Sequence, residues 1–197
     1  MTLARSLIII EDLLTAVTGP KERHLELILT NTLRHIILTH LHPRTLIQIT
    51  LQILSIPEDA SLLRPSSHLP SLPALLQSSV LALLSANIPL SQTLTSALVV
   101  LDYDTKTTVS PSIKQIAAAR SVHVFAFSSF GDLLIAESEG GFDIDLWETA
   151  CVEARRLCVK DGEGVIMEED GKVNMQDFLY AAVETDVRKA NAWRNGG

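Results

Sequence analysis

Across residues 21–40 apolar side chains recur three and four apart, at Leu25, Ile28, Leu29, Leu33, Ile36 and Ile37, with Thr32 among them. That spacing lines one face of a helix and predicts one that opens soon after Gly19-Pro20. Pro43 stops it, because proline has no N–H to continue the ladder. Immediately beyond, the period changes from near four to two: Ile47, Ile49, Leu51 and Ile53 alternate with Gln48, Thr50 and Gln52. This predicts a half-buried strand over 45–54 with one polar face.

Residues 55–73 carry four of the eight prolines among serines and read as an irregular loop or insertion. The segment 74–86 is apolar almost all round, as a helix buried between layers would be. A buried strand is expected over 93–103, then a turn from Asp104 to Thr108, then a short helix through Arg120 capped by Ser110 with Pro111 at its first position. Val122 to Phe127 and Leu133 to Ala136 read as strands joined by a turn at Phe130-Gly131-Asp132. A long helix is expected from Leu146 to Val159, with Asp145 and Glu148 spaced as a capping box. A hairpin at Asp170-Gly171 within 165–173 and a last amphipathic helix over 175–190 complete the reading. Residues 6–17 fit a helix through Leu7, Ile10, Leu14 and Val17, or a strand through S-L-I-I-I. This order of elements predicts an α+β or α/β layered fold.

The chain has 197 residues, 47% of them hydrophobic and 20% charged, which excludes disorder as its main state. A mean hydropathy of +0.25 leaves apolar surface to bury in a core or against partners. No apolar run reaches the roughly 20 residues that span a bilayer. The start, M-T-L-A-R-S-L-I-I-I-E-D-L-L, has too short an apolar run for a signal peptide, so an intracellular chain is expected. The first hundred residues hold six cations and six acids; the remaining 97 hold ten and seventeen, and so carry the whole net charge of −7. A protein that grips nucleic acid alone usually presents a basic face. This composition leaves only a few local cations, or surfaces shared with other subunits, for such a role.

Conventional site motifs are sparse. His35, His40 and His42 cluster near the end of the first helix, but the sequence has neither the cysteines nor the H-E-x-x-H spacing of a zinc site, and histidines there suit the helix dipole. Asp143, Asp145 and Glu148 suit a helix start better than a magnesium site. Cys151 and Cys158 stand seven apart on a helix, ~10 Å, too far to bridge, and read as small buried apolar residues. Gly162-Glu163-Gly164 begins a dinucleotide fingerprint, but Met167 occupies the place of its third glycine. No Walker loop or nucleophile elbow is present. No metal and no cofactor is expected.

One constellation is more specific. His40-Leu41-His42-Pro43-Arg44-Thr45, running into a strand that ends Gln52 to Ser55, resembles the helix–strand junction of the RNase PH family, and most closely that of the exosome ring subunits. Ala86-Asn87-Ile88-Pro89-Leu90 resembles the family's A-G-V-P-L, and Ser110-Pro111-Ser112 stands where the family has D-P-T. The resemblance covers roughly 20–160. It implies an α+β, RNase PH-like mixed sheet layered with helices over 1–160, interrupted by the 55–73 insertion, with 161–197 as a C-terminal extension. The family's first strands, some 60–80 residues on the order of half a domain, precede its first helix. Only 18 residues precede Gly19 here, so S-L-I-I-I is expected to match the last of those strands, leaving a sheet edge for partners to cover.

The chemistry implied by the resemblance is phosphorolysis of RNA from its 3′ end. It needs cationic and hydroxyl donors on phosphate and an acid near the reacting oxygens. In the phosphate loop, Asp59-Ala60-Ser61-Leu62-Leu63 matches the family's G-G-T-R-T, so Leu62 stands where the arginine belongs; Ser110 replaces the acid of D-P-T. A leucine donates nothing to phosphate. The resemblance therefore implies a non-catalytic subunit of the RNA exosome ring, acting in 3′–5′ RNA processing and decay in nucleus, nucleolus and cytoplasm. Its implied partners are other RNase PH-like ring subunits, cap subunits, and RNA in a shared pore. Arg44 is the position carried over as an RNA backbone contact, since a guanidinium holds a phosphate through two N–H groups; a structural salt bridge is the alternative. Two other readings stand beside this one: a residual phosphorolytic or hydrolytic 3′-exonuclease using Arg64 or unmatched acids, and a stand-alone interaction domain with no RNA role.

Overall fold

The computed structural model describes residues 5–12, 20–53, 69–159 and 174–194. Strand β1 (Arg5–Asp12) and strand β2 (Leu46–Ile53) pair in parallel, Arg5 opposite Leu46 through to Asp12 opposite Ile53. Helix α1 (Pro20–Ile36) is the crossover that a parallel pair requires. The ambiguous segment 6–17 is thus a strand where it is described. The pairing that β2 offers settles a choice its own β-branched run leaves open.

The two-residue period of β2 appears as strict alternation: Ile47, Ile49 and Leu51 are buried while Leu46, Gln48, Thr50 and Gln52 are exposed. The buried side packs with Leu25, Leu29, Leu33 and Ile36 of α1 and with Leu72, Leu76, Val80 and Leu83 of α2 (Leu72–Ser85). Helix α1 stops at Ile36, four residues short of the periodic stretch. A 3₁₀ turn at Thr39–Leu41 takes up the rest of the stretch before Pro43.

The second sheet has the order β4-β3-β5-β6, all antiparallel: β3 (Leu94–Leu101), β4 (Thr107–Val109), β5 (Ser121–Ser128) and β6 (Leu133–Gly140). Every residue of β5 is buried because helices cover both faces of the sheet. On one face Val100, Val122, Val124, Ala126 and Ile135 join the core that contains α1, α2 and β2. On the other, Ala97, Val99, Leu101, Phe125 and Phe127 pack on Ala150, Ala154 and Cys158 of α4 (Ile144–Cys158). Helix α5 (Met175–Ala190) sets Leu179 into the first core.

Two local expectations are corrected. Ser110 does not cap α3 (Ile113–Ala118); the cap is Ser112, whose hydroxyl accepts from the Gln115 N–H while the Gln115 side chain accepts from the Ser112 N–H, a complete capping box. The reason lies upstream: the Ser110 N–H donates to Leu98 O at 3.0 Å, extending the β3–β4 ladder by one rung, so the chain cannot turn into a helix until two residues later. In α4 the N-cap is Asp143, without a side-chain hydrogen bond, so Asp145 lies in the first turn and no capping box with Glu148 forms. An acid there still complements the helix dipole.

Both cysteines are free, Cys158 buried and Cys151 half-buried, on α4. Burial pushes the Cys158 thiol up to about 12 and raises that of Cys151 as well, so neither is an activated nucleophile. The expected loop over 55–73 is corrected at its end, where Leu69–Ser71 form a 3₁₀ turn and α2 already begins at Leu72; its 55–68 part, the Gly162-Glu163-Gly164 run and the hairpin over 165–173 lie outside the described residues.

Candidate functional site

Two stretches singled out in the sequence, 40–45 and 86–91, are clamped together. The Leu38 N–H donates to Pro89 O at 3.1 Å, and Ile37 bridges Leu90. Both the N–H and the hydroxyl of Ser91 donate to Ile36 O, at 2.8 and 3.1 Å. The chain can reach this position because α2 ends in a Schellman motif: Ile88 N–H donates to Leu83 O, Asn87 N–H to Leu84 O, and Asn87 takes a left-handed φ of 56°. Asparagine tolerates that conformation, which explains how it stands where the resembled family has glycine.

The turn itself runs from His42 to Thr45. The Thr45 N–H donates to His42 O and its hydroxyl to Pro43 O, both at 3.4 Å. Between them Arg44 has φ 61°, a conformation that non-glycine residues take rarely and at a cost of roughly 1–2 kcal/mol. Arg44 is exposed, and it takes no part in the ion pairs Arg120–Asp143, Arg156–Glu153 and Arg188–Glu184. No acid occurs between Glu26 and Glu58, so this part of the chain is locally cationic despite the net charge. An exposed guanidinium fixed at the mouth of a strand is suited to a phosphate or carboxylate.

Ser110 is exposed at φ 53°, just after β4 at the margin of the four-stranded sheet, whereas Arg44 precedes a strand of the two-stranded sheet. The two candidate positions thus belong to different sheets. Leu62, the whole Asp59 to Leu63 stretch and Arg64 lie outside the described residues. Among the described residues no group of three or more His, Cys, Asp or Glu is arranged to hold a metal ion.

One polar cluster went unnoticed in the sequence. His123, fully buried on β5, shares hydrogen bonds through Nε2 with Ser121 Oγ at 2.9 Å and through Nδ1 with Ser138 Oγ at 2.8 Å. Trp147 Nε1 of α4 donates to the same Ser138 Oγ at 3.3 Å, and Phe142 meets the imidazole edge-on at 4.7 Å. A neutral ring that accepts from Ser138 and donates to Ser121 satisfies every group. Burial holds its pKa down at about 4. The cluster ties α4 to the sheet from within. Its signal was the alternation Ser121-Val122-His123-Val124, polar side chains placed on a strand that is otherwise apolar.

No protein-family model matches the chain. Among solved structures it is similar to rice (Oryza sativa) Rrp46, with 19% sequence identity and a TM-score of 0.68 over 91% of this chain and 73% of that one. The α+β, RNase PH-like fold expected from the sequence is borne out by that likeness.

Proposed function

We propose that this chain is a non-catalytic ring subunit of the eukaryotic RNA exosome. The observation that carries this reading is the likeness of fold to Rrp46 across nine-tenths of the chain. Leu62 and Ser110 in place of the family's phosphate-binding arginine and acid support the absence of catalysis, and the net charge of −7 supports a subunit that meets RNA only beside others. In this reading residues 1–160 form the ring domain and 161–197 an extension. Its neighbours are RNase PH-like ring subunits and cap subunits, and RNA threads the pore they share toward a separate nuclease. It works in RNA processing and decay, rRNA maturation included, in nucleus, nucleolus and cytoplasm. Arg44 holds the RNA backbone.

Incubating the pure chain with 3′-labelled RNA and inorganic phosphate tests the catalytic side. The expected result is intact RNA; release of nucleoside diphosphates that is lost in Arg64→Ala would establish the exonuclease reading instead. In a reconstituted ring, Arg44→Ala is expected to reduce photocrosslinking of RNA to this subunit several-fold while leaving ring assembly unchanged. Unaltered crosslinking would leave Arg44 with a structural role only.

A further inference from the structure

A groove of about 340 Å³ runs between β2 and the C-terminal end of α2. One wall is made of five consecutive β2 residues, Leu46 to Thr50; the other includes Ala82, Leu83 and Ala86; His42 lines it as well. Successive side chains of a strand point to opposite faces. A groove touched by five in a row therefore follows the backbone edge, and since β1 holds one edge of β2, this is the other. Along it the N–H and C=O groups of alternate residues have no strand partner among the described residues. At the end where β2 begins, the buried His42 Nε2 also has no hydrogen-bond partner among them.

Both edges of the four-stranded sheet are blunted among the described residues. β4 has only three residues, and β6 carries Glu137 and Glu139 and meets β5 through a register shift at Ala126/Phe127. Such devices prevent edge-to-edge pairing. β2 has none of them: Thr45 to Ile53 contains no charge, no proline and no glycine. An edge of eight residues left in that state is fit for pairing.

We propose that the β2 edge accepts an extended polypeptide segment of another protein as an added strand. The segment alternates apolar and polar side chains, the apolar ones entering the groove against Ala82, Leu83 and Ala86. It places a carboxylate at the end near His42. That last feature follows from charge: His35, His40, His42, Arg34 and Arg44 lie in a stretch, 27–57, without a single acid. A polypeptide fits better than RNA because the edge offers backbone donors and acceptors at the strand repeat. The inference rests on the geometry of β2 and stands or falls apart from the ring reading.

The probe is a fluorescein-labelled peptide, acetyl-Asp-Thr-Val-Thr-Val-Thr-Val-amide, titrated with the full chain by fluorescence polarisation. Saturable binding is expected, weakened at least tenfold when the peptide's Asp becomes Lys, when its central Thr becomes Pro, and in the protein variants His42→Ala and Gln48→Lys. Both protein positions lie at the surface or in the turn, and circular dichroism checks that each variant folds. Hydrogen exchange supplies an independent readout: amides at alternate positions of 46–52 exchange fast in the free chain and become protected on binding. Failure to bind, or equal binding of the proline peptide, overturns the proposal. So does prior protection of both sets of β2 amides, which would mean that another segment of the chain, or a second copy detected by light scattering, already covers the edge.

Discussion

His123 makes the stability of this fold depend on pH in a calculable way. Its folded pKa of about 4 lies below the ordinary value of 6.5, because burial disfavours the charged ring. Between those values the unfolded chain binds a proton that the folded chain does not, so stability falls as pH falls. The contribution is fully present above pH 6.5 and is lost progressively toward pH 4. Moving from pH 7.5 to pH 5 should remove about 2 kcal/mol through this group alone, and about 3 kcal/mol by pH 4, at 1.36 kcal/mol per pKa unit. Urea unfolding followed by circular dichroism at a series of pH values measures it. His123→Gln, which keeps a polar side chain but does not titrate, should be less stable at pH 7.5 and show a pH slope shallower by that amount. The other titratable groups are common to both proteins, so the difference between the two slopes isolates position 123. Identical slopes in the two would refute the argument, since the buried imidazole would then be charging without penalty.

Other positions test the packing. Phe127→Ala, at 2% exposure between β5 and α4, should cost about 3–5 kcal/mol in urea unfolding. Gly140→Ala should destabilise by at least about 2 kcal/mol, because φ is +111° and an added Cβ would stand 2.4 Å from Arg120 O, a backbone atom that cannot swing away. Ser112→Ala should cost about 1 kcal/mol through its cap, whereas Ser110→Ala should cost less than half of that; the reverse order would restore Ser110 as the cap.

What could be read in the sequence follows from how local each signal was. The alternation of β2 and the three-four spacing of α1 are set by which face is buried, so both elements were legible, as was α5 over 175–190. Strand β1 was not, because Leu7 to Ile10 is apolar throughout and only its partner β2 decides its state. Cap positions failed for a related reason: a long-range hydrogen bond from Ser110 to Leu98 O delays α3, and no pattern within 105–115 reports it. At the site, the junction of His42 to Thr45 with the strand was visible as a motif. The left-handed turn at Arg44, the clamp on 86–91 and the open edge of β2 arise from tertiary packing.

The central claim, membership in a ring of RNase PH-like subunits, is tested most directly by native mass spectrometry after co-expression with the remaining exosome ring subunits. The account predicts a single closed complex containing one copy of this chain, absent when the chain is omitted. A chain that stays monomeric and soluble alone and enters no complex with any of those subunits would contradict it.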